Sequence, residues 1–375
     1  MATRTGDRLF AGQQAAPQHH SGLRAPAQVE FTLFLPVHAL SPATAMKLGS
    51  LKNDTRDGAL CVVARDLKTA TVAYDVAPTL QAALDDWDFC APRLQTLYEQ
   101  ANSNPQGSRW FEVDFAKFAA PLPRAYQWLD AAGYLSHAER MYKTRGVELT
   151  KELREEPSMY QGASDAFLGP RDDIVVERED WEIDLEGELA VVVGDVPMGV
   201  KREKAAEHIR LLMLANDVSL RALAPVELAK GSGFVHSKTW TAFSPVAATP
   251  DELGDAWDGR KLHLPIVVHV NDKLLGRPDA GTDVSFDFPR LIAHAARTRP
   301  LSAGTVLGSG TVSNKDAKVG VCCIAEARAL ESVRGKPAQT PYLKFGDRIE
   351  IEMRDAEGRS IFGAIEQRVT RHEHR

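Results

Sequence analysis

Residues 182–196, EIDLEGELAVVVGDV, have the pattern of a buried β-strand with acidic residues on one face. Side chains alternate between the two faces of a strand, so one face is apolar from Ile183 to Val193. The other face carries Glu186 and Glu188 and then turns to alanine and valine, which predicts that both glutamates point into an enclosed space. Two carboxylates about 7 Å apart and away from water repel each other unless a cation or a proton offsets their charge.

Strand patterns outnumber helical patterns over the rest of the chain. The strand-like stretches are LAVVVGDV (189–196), HLPIVVHVND (263–272), GTVLGSGTVS (304–313), VCCIAEARAL (321–330) and DRIEIEMRD (347–355). Helical spacing occurs in REKAAEHIRLLM (202–213) and FPRLIAHAART (288–298). Clustered strands with little helix between them favour a β-rich fold over a doubly wound one. We predict an α+β, β-rich fold.

The pattern of the sequence divides the chain into three regions. Residues 1–45 are rich in alanine, proline and glutamine, so we expect a disordered or non-native extension, with a transit peptide as the alternative. Residues 46–118 combine strand patterns with a helical stretch at 78–102, in which Pro92 is expected to interrupt the helix. This region predicts a small β-rich N-terminal domain, and residues 119–375 form the predicted main domain.

Composition and charge exclude several classes of protein. The net charge of −6, without a concentrated basic stripe, argues against a nucleic-acid partner. The longest apolar runs are shorter than the roughly 20 residues that a membrane span needs. The cysteines form no CxxC pair, which predicts reduced, buried thiols and a cytoplasmic location and argues against zinc held by thiolates. They are Cys61, Cys90, Cys322 and Cys323.

Two further acids and a histidine are candidates for chemistry. Asp217 closes the apolar run of LLMLANDVSLRAL (211–223), where an asparagine–aspartate pair is also a common turn former. Asp130 lies seven residues before His137, a type of residue that by itself is more often structural than catalytic. An all-carboxylate site would suit Mg²⁺ best, with Mn²⁺ or Ca²⁺ as alternatives, because hard cations prefer oxygen ligands.

Seven short motifs, taken together and in order, resemble those of the fumarylacetoacetate hydrolase family. They are DAAGYLSH (130–137), MYQGASD (159–165), DLEGELAVVVGDV (184–196), LANDVSLR (214–221), HSKTWTAFSPV (236–246), GSGTVSN (308–314) and CIAE (323–326). Each motif alone is weak, whereas the ordered set is specific. The resemblance covers nearly everything after Met46 and is greatest to bacterial members with a small N-terminal domain. It implies a catalytic domain of mixed β-sheets rolled around a metal site, and a homodimer.

The resemblance also implies a role for each candidate residue. The residues that match metal-binding carboxylates are Asp130, Glu186, Glu188 and Asp217. His137 matches the base that activates water, and Glu326 matches the acid that orients this base. Lys238 matches a catalytic cation, and the matches to substrate-contacting positions are Arg221, Tyr160 and Thr311. Structural alternatives remain: Lys238 and Arg221 as salt-bridge partners of the acids, and Tyr160 as a packing residue.

The function that the resemblance implies is metal-dependent hydrolysis of a carbon–carbon bond in a β-diketo acid, with a fumarylacetoacetate-like or acylpyruvate substrate of the kind found in aromatic compound catabolism. The metal would stabilise the enolate leaving group. The alternatives are a 2-oxo acid hydratase, decarboxylase or isomerase of the same fold, and a non-catalytic, metal-stabilised binding protein. The chain departs from the family pattern at Ala224, where a glutamine is expected, and at Ala242, where a threonine is expected.

Overall fold

A large mixed β-sheet forms the centre of the protein and carries several of the predicted site residues. The computed structural model describes residues 45–103, 105–144, 146–333, 335 and 337–373. The predicted N-terminal extension, residues 1–45, lies outside the described residues except for Ala45. In the described part of the chain, no helix is both long and apolar enough to cross a membrane.

The strands of the described residues, in chain order, are β1 (Lys47–Leu51), β2 (Ala59–Val63), β3 (Thr69–Val72), β4 (Trp110–Glu112), β5 (Trp128–Ala131), β6 (Met159–Gly162), β7 (Ile174–Val176), β8 (Ile183–Asp184), β9 (Gly187–Val193), β10 (Ile209–Asn216), β11 (Ser219–Leu220), β12 (Ala242–Phe243), β13 (Val246–Ala248), β14 (Ile266–Val270), β15 (Lys273–Gly276), β16 (Val306–Gly308), β17 (Arg348–Met353) and β18 (Ile365–Arg371). The helices are α1 (Leu80–Asp85), α2 (Trp87–Ser103), α3 (Leu135–Thr144), α4 (Lys151–Glu155), α5 (Arg202–Ala205), α6 (Ala224–Lys230), α7 (Phe288–Ala295) and α8 (Ile324–Val333).

Within the described residues these strands form three sheets. The large sheet has eleven strands in the order β4-β3-β2-β1-β13-β10-β9-β16-β5-β6, with β12 paired to β10. A five-stranded sheet has the order β15-β14-β17-β18-β7, and β8 pairs with β11. The β16–β5 and β18–β7 pairs are parallel, whereas neighbours such as β9 and β10 are antiparallel. The sheets are therefore mixed, as predicted.

Strand β9 is buried on both faces, which explains its continuous apolar sequence. On one face Leu189 and Val191 belong to the core that includes Ile351 of the five-stranded sheet. On the other face Val192 belongs to a second core that includes Leu94 of α2. Burial of each such side chain contributes about 1.5–3 kcal/mol, so β9 is fixed firmly between two layers. The predicted alternation of faces is confirmed.

The predicted strand is interrupted where the acidic residues begin. It divides into β8 and β9, which pair with different partners, and Glu186 lies between them. The Glu186 backbone N–H donates to Asn216 Oδ1 at 3.1 Å, and Gly187 N–H donates to the Cys322 carbonyl at 2.8 Å. These bonds replace the missing ladder bonds, because buried backbone groups need partners.

The stretch 321–330, predicted as a strand, instead contains the start of helix α8. The Asp184 carboxylate accepts hydrogen bonds from the N–H groups of Ile324 at 2.7 Å and Ala325 at 2.9 Å. It therefore caps the helix from a distant strand, and the alanines and glutamates that follow are good helix formers. The prediction was wrong because this cap lies outside the local sequence.

Two helical predictions also need correction. The stretch 202–213 is helical only at its start, because β10 begins at Ile209 and pairs with β9 over its length. Burial between the two cores outweighs the helical spacing of this stretch. Pro92 does not end a helix: it lies inside α2, and the break falls at Asp86 instead. The predicted helix at 288–298 is confirmed as α7.

The small N-terminal region is continuous with the main sheet. Strand β1 pairs with β2 on one side and with β13 on the other. Its Leu48 belongs to the same core as Val192 of β9. The sheet therefore crosses the predicted boundary at residues 118–119, and the division into domains stays a prediction.

Candidate functional site

Three of the four predicted metal-binding carboxylates lie together and are buried. Asp130 in β5, Glu188 in β9 and Asp217 just after β10 each place a carboxylate oxygen within 4.8 Å of the others. All of them are at most 5% exposed. A compact, buried set of carboxylate oxygens is suited to a hard divalent cation.

Glu188 supplies the strongest sign of a cation site. Neither of its carboxylate oxygens has a hydrogen-bond partner among the described residues, although both atoms are buried. Burial, and then the neighbouring charges of Asp130 and Asp217, hold the pKa of Glu188 well above its usual value. Buried polar atoms normally have partners, so the free oxygens of Glu188 fit ligands of a metal ion.

Glycines make room for the Asp130 carboxylate. Gly308 of β16 lies opposite Ala190, and a Cβ at position 308 would come within 2.3 Å of Asp130 Oδ1. Gly310, which has a positive φ of 74°, donates its N–H to the same oxygen at 3.1 Å. Burial and then Asp217 raise the pKa of Asp130 to about 7. The site thus accepts an acid that is costly to ionise by itself.

The fourth predicted ligand, Glu186, lies beside the chain's own cations. Its Oε1 contacts Arg221 at 2.6 Å, and its Oε2 contacts Lys238 Nζ at 2.5 Å. Burial would raise the pKa of Glu186, but Lys238 and Arg221 lower it well below its usual value. Lys238 Nζ also contacts Asp217 Oδ2. It so joins Glu186 to the group of Asp130, Glu188 and Asp217, here called the acid cluster. Both cations are ion-paired with acids, as the structural alternative expected, and the assignment of Glu186 stays a prediction.

The Asp217 carboxylate contacts two hydroxyl groups in addition to Lys238. Its Oδ2 accepts a hydrogen bond from the Tyr160 hydroxyl at 2.6 Å, and its Oδ1 accepts one from Thr241 at 2.8 Å. The Thr241 hydroxyl thus lies one residue before Ala242, the position at which the family resemblance implies a threonine. Tyr160 makes a polar contact in addition to packing edge-on against Phe234, with ring centroids 5.1 Å apart.

His137 and Glu326 form a hydrogen-bonded pair between helices α3 and α8. His137 Nδ1 lies 2.8 Å from Glu326 Oε2. The Glu326 side chain is fully buried, whereas 18% of the His137 side chain is exposed. Burial would raise the pKa of Glu326, but His137 and hydrogen bonds from Ser313 and Arg140 lower it. His137, Glu186 and Cys323 also place ligand-type atoms within 4.8 Å of one another, so the pair lies next to the acids.

Sequence reasoning missed two residues that hold Glu326. Arg140 contacts Glu326 Oε1 and donates to the Asn314 carbonyl at 2.7 Å. Ser313 Oγ donates to the same carboxylate oxygen at 2.7 Å. Arg140 lies three residues after His137 and therefore on the same face of α3, a spacing that could have identified it.

Asp184 was also missed, although it belongs to the opening motif. In addition to capping α8, its carboxylate accepts a hydrogen bond from Arg221 Nε at 2.9 Å.

Thr311, a predicted substrate contact, is buried next to Gly310 in the loop after β16. A cavity of about 240 Å³ elsewhere on the protein, lined by residues such as Arg171, Glu350 and Arg368, contains none of the predicted site residues. The candidate site is therefore identified from the arrangement of its side chains and not from a cavity.

Comparison with known families identifies the fold to which these motifs belong. The family model for the fumarylacetoacetate (FAA) hydrolase C-terminal region matches residues 127–370, and that for the fumarylacetoacetase N-terminal domain 2 matches residues 46–124. The chain belongs to the fumarylacetoacetate hydrolase family. The resemblance noted in the sequence and the predicted β-rich α+β fold are confirmed.

Curated relatives within the fumarylacetoacetate hydrolase family have different activities. The chain is 28% identical over 213 residues to a 2,4-didehydro-3-deoxy-L-rhamnonate hydrolase of Sphingomonas sp., covering 56% of this chain and 66% of that protein. It is 29% identical over 173 residues to an oxaloacetate tautomerase of Xenopus laevis, covering 45% of this chain and 52% of that protein. The family membership therefore indicates an enzyme.

Solved structures show the same fumarylacetoacetate hydrolase fold. A probable 2-hydroxyhepta-2,4-diene-1,7-dioate isomerase from Mycobacterium abscessus matches with a TM-score of 0.61 at 19% identity, covering 88% of this chain and all (100%) of that one. A maleylpyruvate hydrolase from Sphingobium sp. SYK-6, in complex with manganese(II) and pyruvate, matches with a TM-score of 0.59 at 17% identity, covering 88% and 100%. At these identities the likeness concerns the fold.

The acid cluster predicts a pH-dependent response to metal. Because the pKa of Asp130 is raised to about 7, protons compete with a cation below that pH. We expect Mn²⁺ to raise the melting temperature more at pH 8 than at pH 6, measured by differential scanning fluorimetry. In EDTA the pH dependence of stability has the opposite sign. A raised carboxylate pKa makes the folded state bind more protons than the unfolded state, so this contribution to stability falls as the pH rises from about 4 to about 7. Asp130→Asn should weaken both effects, because the raised pKa of Glu188 remains, and an equal response of the wild type at the two pH values would contradict the prediction.

Proposed function

We propose that the protein is a divalent-metal-dependent hydrolase that cleaves a carbon–carbon bond in a β-diketo acid of the acylpyruvate class. The observation that carries this proposal is the His137–Glu326 pair, which lies beside Glu186, an acid that Lys238 joins to the acid cluster. A base next to a cation site is what water-dependent cleavage of a diketone requires. The family and its named hydrolases support the same reaction.

His137 is the proposed general base. With Nδ1 hydrogen-bonded to Glu326, Nε2 is the ring nitrogen left to accept a proton from water. Glu326 is held ionised by Arg140 and Ser313, so it stabilises the imidazolium that forms when His137 takes the proton. A base oriented in this way contributes about 10²–10⁴-fold to the rate.

The acid cluster is the proposed cation site. Its ligands would be Asp130, Glu188 and Asp217, with Glu186 as the predicted fourth, and the oxygen-only donor set favours Mg²⁺, Mn²⁺ or Ca²⁺. A divalent cation held there would polarise the oxygen atoms of a 2-oxo acid. Mn²⁺ and pyruvate bound to the maleylpyruvate hydrolase support a ligand of this class.

In this proposal, four further residues bind the substrate and stabilise the negative charge that develops on it. Oxygen from water adds to the ketone carbon, the adjacent carbon–carbon bond breaks, and its electron pair leaves with the 2-oxo acid fragment, which then gains a proton. Lys238 and Arg221 are positive charges near this fragment, and each such donor is worth roughly 3–4 kcal/mol. Tyr160 and Thr311 are the proposed substrate contacts.

A homodimer and a cytoplasmic location are also proposed, on the ground of the same family likeness.

Tautomerisation of a 2-oxo acid is the second candidate. The curated relative named as an oxaloacetate tautomerase favours it, because keto–enol exchange needs the same cation site and a base. In that reaction His137 would move a proton between carbon and oxygen without adding water. The two candidates differ in their products, since tautomerisation leaves the carbon skeleton intact.

An acylpyruvate assay distinguishes these functions. Purified protein with Mg²⁺ or Mn²⁺ is mixed with acetylpyruvate or fumarylpyruvate, the diketone absorbance is followed, and released pyruvate is measured with lactate dehydrogenase. We expect both signals to change in equal amounts, with no change in EDTA. Loss of absorbance without pyruvate would replace hydrolysis by tautomerisation. No reaction with any 2-oxo acid, together with metal-dependent stability, would support the non-catalytic binding protein.

A further inference from the structure

A single buried carboxylate holds the segment that leads into Lys238. Glu227 of α6 accepts hydrogen bonds at Oε1 from the N–H groups of Val235 at 2.9 Å and His236 at 2.8 Å. At Oε2 it accepts the Ser237 N–H at 3.0 Å and the Ser237 hydroxyl at 2.5 Å. The acid thus binds three consecutive residues, and the next residue in the chain is Lys238.

These bonds require an ionised acid. Burial would raise the pKa of Glu227, but the Ser237 hydroxyl and the backbone N–H groups lower it to about 2. An ionised carboxylate has acceptors only, so all four donors meet a partner. Hydrogen bonds to a charged group are roughly twice as strong as neutral ones, which makes Glu227 an effective anchor.

Among the described residues, the first part of the anchored segment has few other contacts, whereas Phe234 just before it packs against Tyr160 and Ser237 at its end is buried. The segment follows Gly231 and Gly233, both of positive φ (69° and 95°), so its start has little intrinsic stiffness. Val235 is 73% exposed and the His236 side chain 79% exposed, so neither is fixed by burial. Only at its end does the segment join β11, where Leu220 N–H donates to the Ser237 carbonyl at 2.8 Å.

Lys238 follows this short segment directly, and its own backbone forms a β-bridge with Ser219 of β11. Its Nζ lies between Glu186 and Asp217, and its side chain is 11% exposed. A lysine side chain is flexible, so its ammonium group stays at one place only if the backbone at its base is fixed. We propose that Glu227 is a positioning residue, which fixes the 235–237 segment and thereby places Lys238 between the two acids. Its kinetic consequence rests on the proposed function, whereas the placement itself does not.

Two measurements that need no substrate test the placement. Glu227→Gln keeps the size of the side chain but turns one acceptor into a donor that faces backbone N–H groups. We expect amide hydrogen exchange over residues 231–238 to increase by at least about 10-fold, as for the loss of a hydrogen bond worth about 1.4 kcal/mol. We also expect Lys238 to become reactive towards an amine-acetylating reagent, measured by mass spectrometry against the exposed Lys230 as internal reference.

A matched control uses the same kind of anchor elsewhere. Glu331 of α8 accepts hydrogen bonds from Gln339 N–H at 2.6 Å and from the Thr340 hydroxyl at 2.6 Å. Glu331→Gln should loosen residues 337–340 and leave Lys238 protected. Glu227→Asp keeps the charge with a shorter side chain, and it should lie between the wild type and Glu227→Gln in both measurements.

The kinetic test separates positioning from general loss of stability. In an active enzyme, Glu227→Gln should lower kcat by about 10²-fold, the size expected for a displacement of about 1 Å. In a Lys238→Met background the same substitution should cause no further loss. Unchanged exchange and Lys238 reactivity in Glu227→Gln, or losses that add to those of Lys238→Met, would overturn the proposal. Absence of turnover in the wild type would overturn the proposed hydrolase and leave the exchange and acetylation results to decide the role of Glu227.

Discussion

Replacing His137 with alanine should lower kcat by about 10²–10⁴-fold while the affinity for Mn²⁺ stays nearly unchanged. His137 is hydrogen-bonded to Glu326 and lies outside the acid cluster, so the substitution removes a base and keeps the cation ligands. Turnover of an acylpyruvate and Mn²⁺ titration by calorimetry measure the two effects on the same preparation. Loss of metal binding in this variant would mean that His137 is a ligand.

His263 provides a matched control for this experiment. It forms a histidine–carboxylate pair with Asp258 at 2.8 Å, and its side chain is 43% exposed. His263→Ala should leave turnover and metal affinity unchanged. Glu326→Gln should reproduce much of the His137→Ala loss, and the double variant should lose little more, because residues that act as a unit are not additive.

Replacing Glu188 with glutamine should weaken metal binding and stabilise the metal-free protein. Its carboxylate has no hydrogen-bond partner among the described residues and faces Asp130 and Asp217, so removing its charge relieves burial and repulsion together. Glutamine cannot ionise, so the cost of a buried charge beside two acids is absent, and we expect a gain of about 1–3 kcal/mol in urea unfolding with EDTA. Mn²⁺ affinity should fall by at least about 10²-fold, which is about 2.7 kcal/mol of binding free energy.

The opposite signs of these two effects make the prediction specific. An acid with an ordinary structural role would destabilise the protein when replaced. Asp184→Asn is the matched comparison, since this buried acid caps α8 and pairs with Arg221. That substitution should lower stability in EDTA. If Glu188→Gln lowered stability in the same way and kept Mn²⁺ affinity, the acid cluster would not be the cation site.

The faces of β9 were easier to predict than the partners of its acidic side chains. Alternation along β9 gave the correct faces, because a strand repeats every two residues whatever its surroundings. The partners of each acid could not be predicted in this way. Glu186 binds Arg221 and Lys238, whereas Glu188 lies with Asp130, and these contacts join residues far apart in the chain.

The errors in secondary structure have the same origin. Helix α8 was predicted as a strand because its cap, Asp184, is 140 residues away. The first part of strand β10, residues 209–213, was predicted as a helix because burial between two cores outweighs the local spacing of this stretch. Arg140 is the exception, since its position three residues after His137 was visible in the sequence and was overlooked.

The short stretch from Asp184 to Glu188 serves three parts of the protein at once. Asp184 caps α8, the helix that carries Glu326. Glu186 forms ion pairs with Arg221 and Lys238, and Glu188 belongs to the acid cluster. Inserting or deleting one residue here would turn the following side chains to the opposite face. We therefore expect the protein to tolerate changes of length in its exposed loops far better than a change in the length of this stretch.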